Sequence, residues 1–182
     1  MKIKNLKKGN LVGQSVPTNQ NGEAGRAIED MLEAEGFVIN RGEGADVQLN
    51  GVPVLEIKSR NVDATSPQTV GTMTDDAIKS TPYLSSSIRD KLQVQYRVKT
   101  QNQVVIENKI YDWSHPSIQS LFEEGYKEIQ KQLLNGNTNN YIYGNKFLFA
   151  ERKFGSYAFR INDGAMKKLE AIGDSTFASL FT

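Results

Sequence analysis

The stretch DVQLNGVPVLEIK, residues 46–58, reads as two short strands turning at Asn50-Gly51, a dipeptide that favours a tight hairpin loop. Its register decides which side chains share a face. A two-residue loop pairs Leu49 with Val52 and sets Asp46 opposite Leu55, which turns Asp46 away from Glu56. A three-residue loop or a bulge pairs Leu49 with Pro53, Val47 with Leu55 and Asp46 with Glu56. The second arrangement gathers Val47, Leu49, Leu55 and Ile57 on one apolar face and Asp46, Glu56 and Lys58 on the other. Burial therefore selects it.

Upstream, residues 23–36 predict a helix that stops at Gly36, with Ala24, Ile28, Met31 and Leu32 spaced as one buried stripe. Glu29 falls at the edge of that stripe and Asp30 points away from it. Phe37–Ile39 predicts a short strand, followed by a Gly-rich turn over 41–44. Residues 1–22, led by Lys2, Lys4, Lys7 and Lys8, predict a basic arm or a short strand, with residues 23–182 as the domain proper.

Downstream, residues 59–87 are rich in Ser and Thr and predict a long loop with a helical turn near 74–80. Ser87 caps a short helix over 88–92. Strands over 94–99 and 104–111 follow, joined through Gln101-Asn102. Ser114-His115-Pro116 opens a helix over 116–134, which ends at Asn135-Gly136 and buries Ile118, Leu121, Phe122, Ile129 and Leu133. His115 reads as a capping or surface residue, and Trp113 as a core or edge aromatic. Strands near 141–152 and 156–161, a helix over 163–172 and a terminal segment 177–181 complete the chain. Helix, strands, then helices without regular βαβ alternation predict an α/β or α+β single domain, with a mixed central sheet flanked by helices.

Composition limits the chemistry. Of 182 residues, 38% are apolar and 24% charged, enough to build a core. No apolar run reaches membrane-spanning length and no signal-peptide pattern opens the chain, which predicts a cytoplasmic protein with no membrane partner. The absence of cysteine and the single histidine exclude disulfide scaffolds, Cys/His zinc sites and thiol nucleophiles. A metal here is held by oxygen, which favours Mg²⁺, Mn²⁺ or Ca²⁺. The net charge of +1 hides a partition: residues 1–22 carry +4, 23–57 carry −6 and 58–100 carry +3. An acidic pocket between basic segments suits a cation site whose rim holds phosphates.

Cleaving a phosphodiester needs an activated water, neutralised phosphate charge and help for the leaving oxygen, and Mg²⁺ can serve all three. Asp46 and Glu56, facing each other, offer two carboxylate oxygens to one ion, and the Ile57 carbonyl adds a third ligand. Lys58, on the same side as Glu56, is placed to orient or deprotonate the attacking water. Glu29 at the helix edge is placed to hold a second ion or its water.

Gly25-x-x-x-Glu29, Gly44-Ala45-Asp46 and Glu56-Ile57-Lys58 together resemble the PD-(D/E)xK nuclease superfamily, with no proline before Asp46. Ser86–Leu92, the helix over 117–134, Lys153–Ile161 and Ala165–Ile172 are similar to segments of its MutH-like branch, which includes GATC-cutting type II restriction enzymes. The resemblance covers residues 22–172. It implies a restriction-endonuclease-like fold and a Mg²⁺-dependent endonuclease that nicks or cuts double-stranded DNA at a short site. Mn²⁺ would substitute, and Ca²⁺ would bind without supporting cleavage. It makes Asp46 and Glu56 metal ligands, Lys58 the water-activating lysine, Glu29 the accessory acid and Lys91 the cation at the scissile phosphate. It puts Lys91, Arg152, Lys153 and Ser156 on the DNA, and Arg60 and Arg89 are expected to contact DNA as well.

The gap between Asp46 and Glu56 is longer than in MutH. The chain ends soon after Ile172, where that branch continues into a recognition segment. GATC recognition, methylation sensing and a MutL-type partner are therefore not carried over, and monomer and homodimer both remain open. Two other readings compete: a junction or flap nuclease on the same core, and a non-catalytic DNA-binding protein on a nuclease fold.

Overall fold

The computed structural model describes residues 10–16, 23–42, 44–49, 51–64, 66–99, 103–162, 164–166, 168–169 and 174–175. In chain order they form α1 (Glu23–Ala34), β1 (Val38–Ile39), β2 (Val47–Leu49), β3 (Val52–Asn61), β4 (Gln68–Thr74), α2 (Asp75–Ser80), α3 (Ser86–Arg89), β5 (Leu92–Val98), β6 (Val105–Asp112), α4 (Pro116–Leu134), β7 (Tyr141–Tyr143), β8 (Leu148–Lys153), β9 (Ser156–Ile161) and β10 (Asp174–Ser175). Two compact units result. The first draws on the described residues of Met1–Ala64, Lys91–Asp112 and Gly173–Thr182, the second on those of Thr65–Asp90 and Trp113–Ile172. The expected helix start at Asn21-Gly22, the turn at Gln101-Asn102 and the segment 177–181 lie outside the described residues, as does part of the helix expected over 163–172.

The first unit is a six-stranded sheet in the order β1-β2-β3-β5-β6-β10. Its β3 and β5 run parallel, from Leu55↔Leu92 to Asn61↔Val98, and its other neighbours are antiparallel. The sheet is therefore mixed. Helix α1 lies against β3 and β1, burying Ile28 and Leu32 with Val47, Leu55, Ile57, Val94 and Tyr96. Each such side chain contributes roughly 1.5–3 kcal/mol on leaving water. Gly36, at φ +98°, closes the helix, and Phe37 N donates to the Leu32 carbonyl at 3.0 Å.

Residues 10–16 are not a free arm. Leu11 and Val16 are buried in this core, and backbone bonds join Gly13 and Gln14 to Val105 and Val16 to Gln103. Residues 1–9 and 17–22 of the expected basic stretch lie outside the described residues.

The second unit is a four-stranded antiparallel sheet in the order β4-β9-β8-β7, with α4 packed on β8 and β7 and α2 packed on α4. His115 caps α4 by accepting from Ser117 N at 3.2 Å, ahead of Pro116. Trp113 is buried, its ring 5.8 Å from Phe122, which meets Phe147 at 5.3 Å. Tyr126 and Gln130 hold the end of α2 through the carbonyls of Ile78 and Thr81.

Three expectations change here. The supposed loop 59–87 contains the strand β4, whose buried Val70 and Met73 are three residues apart because Val70 bulges out of the ladder between Thr69 and Gly71. The short helix spans Ser86–Arg89 with Ser85 ahead of it, and it stops short of the expected Leu92 because Leu92 is already paired with Leu55 in the sheet. The strand expected over 141–152 is two strands, separated where Gly144 meets Gly125 of α4. Among the described residues, no helix is long and apolar enough to cross a membrane.

Candidate functional site

The hairpin of β2 and β3 has both features weighed in its sequence. Leu49 pairs with Val52 across a two-residue turn, with Gly51 at φ +80°. Gln48 then pairs with Pro53, so the expected Leu49–Pro53 pair does not form. Between Gln48 and Val47 the register shifts, and Val47 pairs with Leu55. The extra residue is Val54, a bulge of the kind that re-aims side chains. Val47 and Leu55 are fully buried on the core side. The next residues outward, Asp46 and Glu56, leave the core side together.

Asp46 Oδ2 accepts from Ile57 N at 2.8 Å, which fixes the carboxylate beside β3. Glu56, whose side chain is 14% exposed, carries a lysine on each oxygen: Lys58 Nζ at 3.3 Å from Oε1 and Lys91 Nζ at 3.8 Å from Oε2. Lys91 comes from just before β5, which the parallel pairing lays beside Glu56. Glu29 stands at the border of the α1 stripe, 21% exposed against 72% for Asp30. Arg41 reaches Glu29 at 3.3 Å and also Glu33 and Asp30.

The electrostatics tie the three acids together. Burial pushes the Asp46 carboxyl above the usual carboxylate range; the Ile57 N–H opposes this, Glu56 adds to it, and Lys58 and Lys91 oppose it. Burial also raises Glu29, with Asp46 as the next contributor, Arg41 opposing and Asp30 and Glu56 reinforcing. Burial leaves the Asp46 and Glu29 carboxyls raised although Lys58, Lys91 and Arg41 oppose it. Hard oxygen donors in that state fit a small divalent cation. Among the described residues, no three His, Cys, Asp or Glu side chains are close enough to hold a metal on their own. A cation here would rest on the Asp46–Glu56 pair, with backbone, water or phosphate oxygens completing its shell, as Mg²⁺ accepts.

The structure thus brings Asp46, Glu56, Ile57, Lys58 and Lys91 together, with Glu29 within electrostatic reach. Arg60 lies further along β3, aligned with Arg97. The other expected DNA contacts belong to the second unit. Arg89 donates to the Leu84 carbonyl, pairs with Asp90 and lies over the Tyr83 ring at 4.8 Å. Arg152 is held by Asp75 at 2.6 Å and stacks on Tyr157 at 4.9 Å. Lys153 lies 3.6 Å from Glu151, and Ser156 Oγ donates to the Lys153 carbonyl. Arg89 and Arg152 are committed to their own unit.

Two features escaped the sequence reading. Arg41 is the cation that restrains Glu29, and its turn gave no sign of where it reaches. Gln93 and Gln95 are fully buried beside Glu56 and Lys58 in the parallel register, with Gln95 Nε2 donating to Gln93 Oε1 at 2.8 Å. The alternation LQVQYRV over 92–98 was their signal, although alternating polar residues ordinarily indicate a wet face.

Set against family models, curated proteins and solved structures, the chain matches none of them.

Proposed function

We propose that the chain is a Mg²⁺-dependent DNA endonuclease with a PD-(D/E)xK site on a restriction-endonuclease-like core, cutting at a short specific sequence. One arrangement carries this: the bulge at Val54 sets Asp46 and Glu56 on one side of the hairpin, and Lys58 and Lys91 flank the Glu56 carboxylate. A surface hairpin with an incidental Glu-Lys pair has no need of a second lysine at 18% exposure or of a carboxylate facing it.

A bound cation supplies Lewis acidity that neutralises phosphate charge and favours ionisation of water. Asp46 and Glu56 would hold the cation, and the Ile57 N–H keeps the Asp46 carboxylate oriented for it. Lys58, the more exposed of the two lysines at 40%, orients the attacking water toward phosphorus. Lys91 sits deeper and offers positive charge to the phosphate oxygens as charge builds on them. Attack by water forms one P–O bond and breaks the bond to the leaving oxygen; the proton lost by the attacking water passes to solvent, and the leaving oxygen takes a proton from solvent. Glu29, paired with Arg41 at 3.3 Å, would add negative charge within electrostatic reach of a cation on that pair.

The test is incubation of supercoiled plasmid with the protein and Mg²⁺, followed by mapping of the ends. Discrete ends are the expected result. Ends confined to branched DNA favour the junction or flap enzyme, and intact plasmid at every divalent cation tried overturns the proposal.

A further inference from the structure

The sheet of the second unit buries one face under α4. Its other face carries an aromatic surface that the chemistry above does not use. Tyr141 and Tyr143 stand two residues apart on β7 and share a face, while Ile142 between them is buried. Their rings are 6.5 Å apart and nearly parallel, at 21°. Phe149, opposite Tyr143 in the ladder, lies 5.6 Å from Tyr143 and 6.3 Å from Tyr141. Tyr141 and Tyr143 are 49% and 64% exposed. Single exposed rings are ordinary, whereas three side by side mark a contact surface.

What surrounds the rings indicates the partner. Tyr143 and Phe149 also line a cavity of about 1270 Å³ that includes Leu121, Phe147 and the exposed Lys146 and Lys168. Among the described residues, two acids lie nearby. Glu151, opposite Tyr141, is neutralised by Arg160 at 2.6 Å and Lys153 at 3.6 Å. Glu124, at the cavity, lies 3.4 Å from Asn145 Nδ2, which leaves, among the described residues, two lysines against one acid. Flat π faces beside ammonium groups suit unpaired nucleobases and their phosphates. A duplex hides its π faces within the stack, so this surface selects single strands.

We infer that the aromatic face of β7 and β8 binds an unpaired DNA strand, with bases stacked on Tyr141, Tyr143 and Phe149 and phosphates near Lys146 and Lys168. The choice of DNA rests on the nuclease reading.

Fluorescence anisotropy of a labelled oligothymidine of about twelve nucleotides, with the full-length protein in EDTA, tests this. Tyr143→Ala should weaken binding about tenfold, Tyr143→Phe should bind like the parent, and a blunt duplex should bind all three proteins equally. The inference is overturned if the parent does not bind the oligonucleotide, if Tyr143→Ala binds it normally, if Tyr143→Phe loses as much as Tyr143→Ala, or if duplex binding falls in parallel. Plasmid cleavage is measured alongside. Cleavage with normal single-strand binding by Tyr143→Ala removes the stacking surface alone. Tyr143-dependent binding without any cleavage removes the nuclease reading and leaves the surface standing.

Discussion

Glu56 meets a lysine on each of its oxygens, while Asp46 and Glu29 are the acids left short of compensation. This has a consequence for stability. Asp46 has its carboxyl raised in the folded state, chiefly by burial. Its favourable contribution is therefore complete below the unfolded pKa and is lost as pH rises through the folded one. At neutral pH without a cation, ionised Asp46 opposes folding. Asp46→Asn keeps an acceptor for the Ile57 N–H and removes the charge, so its Tm at pH 7 in EDTA should exceed the parent's by about 2–4 °C. The gain should shrink as pH falls through the raised pKa of Asp46, and added Mg²⁺ should stabilise the parent alone. Thermal melts at two pH values check this, and a variant less stable than the parent at pH 7 in EDTA contradicts it. At this scale the sequence was informative where periodicity governs: Glu29 at the border of a helical stripe, and Glu56 and Lys58 two apart on a strand. It was silent on Arg41, whose partners depend on a turn without a repeating geometry.

At the scale of elements, the bulge is the feature to test. Its existence was legible because the apolar residues of β2 and β3 cannot all face inward under a plain two-residue turn. Its form was not: the tight connection from Leu49 to its partner Val52 and the correction at Val54 coexist, where a wider loop would have served equally well. Deleting Val54 leaves a regular ladder in which Val47 still meets Leu55 and Asp46 still faces Glu56. Deleting Gln48 keeps the apolar face but draws Asp46 back along β3 by two residues, roughly 6–7 Å. The first deletion should retain cleavage within about tenfold of the parent and the second should abolish it; the reverse order would refute the role given to the bulge. The same device hid β4, where the bulge at Val70 breaks the alternation and outward threonines imitate a loop. Packing in the second unit depends on a different glycine. A Cβ on Gly144 would lie 2.2 Å from the Gly125 carbonyl oxygen, a backbone atom that cannot step aside. Gly144→Ala should cost about 1–3 kcal/mol in urea unfolding, and a change within about 0.5 kcal/mol would show that α4 does not rest there.

Across the whole molecule, a net charge of +1 conceals an acidic stretch from 23 to 57 bounded by basic ones, and that stretch folds into the helix and hairpin that carry the carboxylates. The partition was legible because it is a property of the chain. The division into two units was not. The first unit is interrupted by residues 65–90 and 113–172, and long-range pairings such as β3 with β5 leave no local mark in the sequence. What unites these scales is the claim that Asp46, Glu56 and Lys58 act together on a phosphodiester. The most direct measurement is the rate of supercoiled plasmid cleavage in Mg²⁺ by the parent, Glu56→Ala and Lys58→Ala, each shown to be folded by its thermal melt. Both variants should lose about 100-fold or more in rate while binding duplex DNA much as the parent does. Cleavage at the parent's rate by either purified variant would contradict the account.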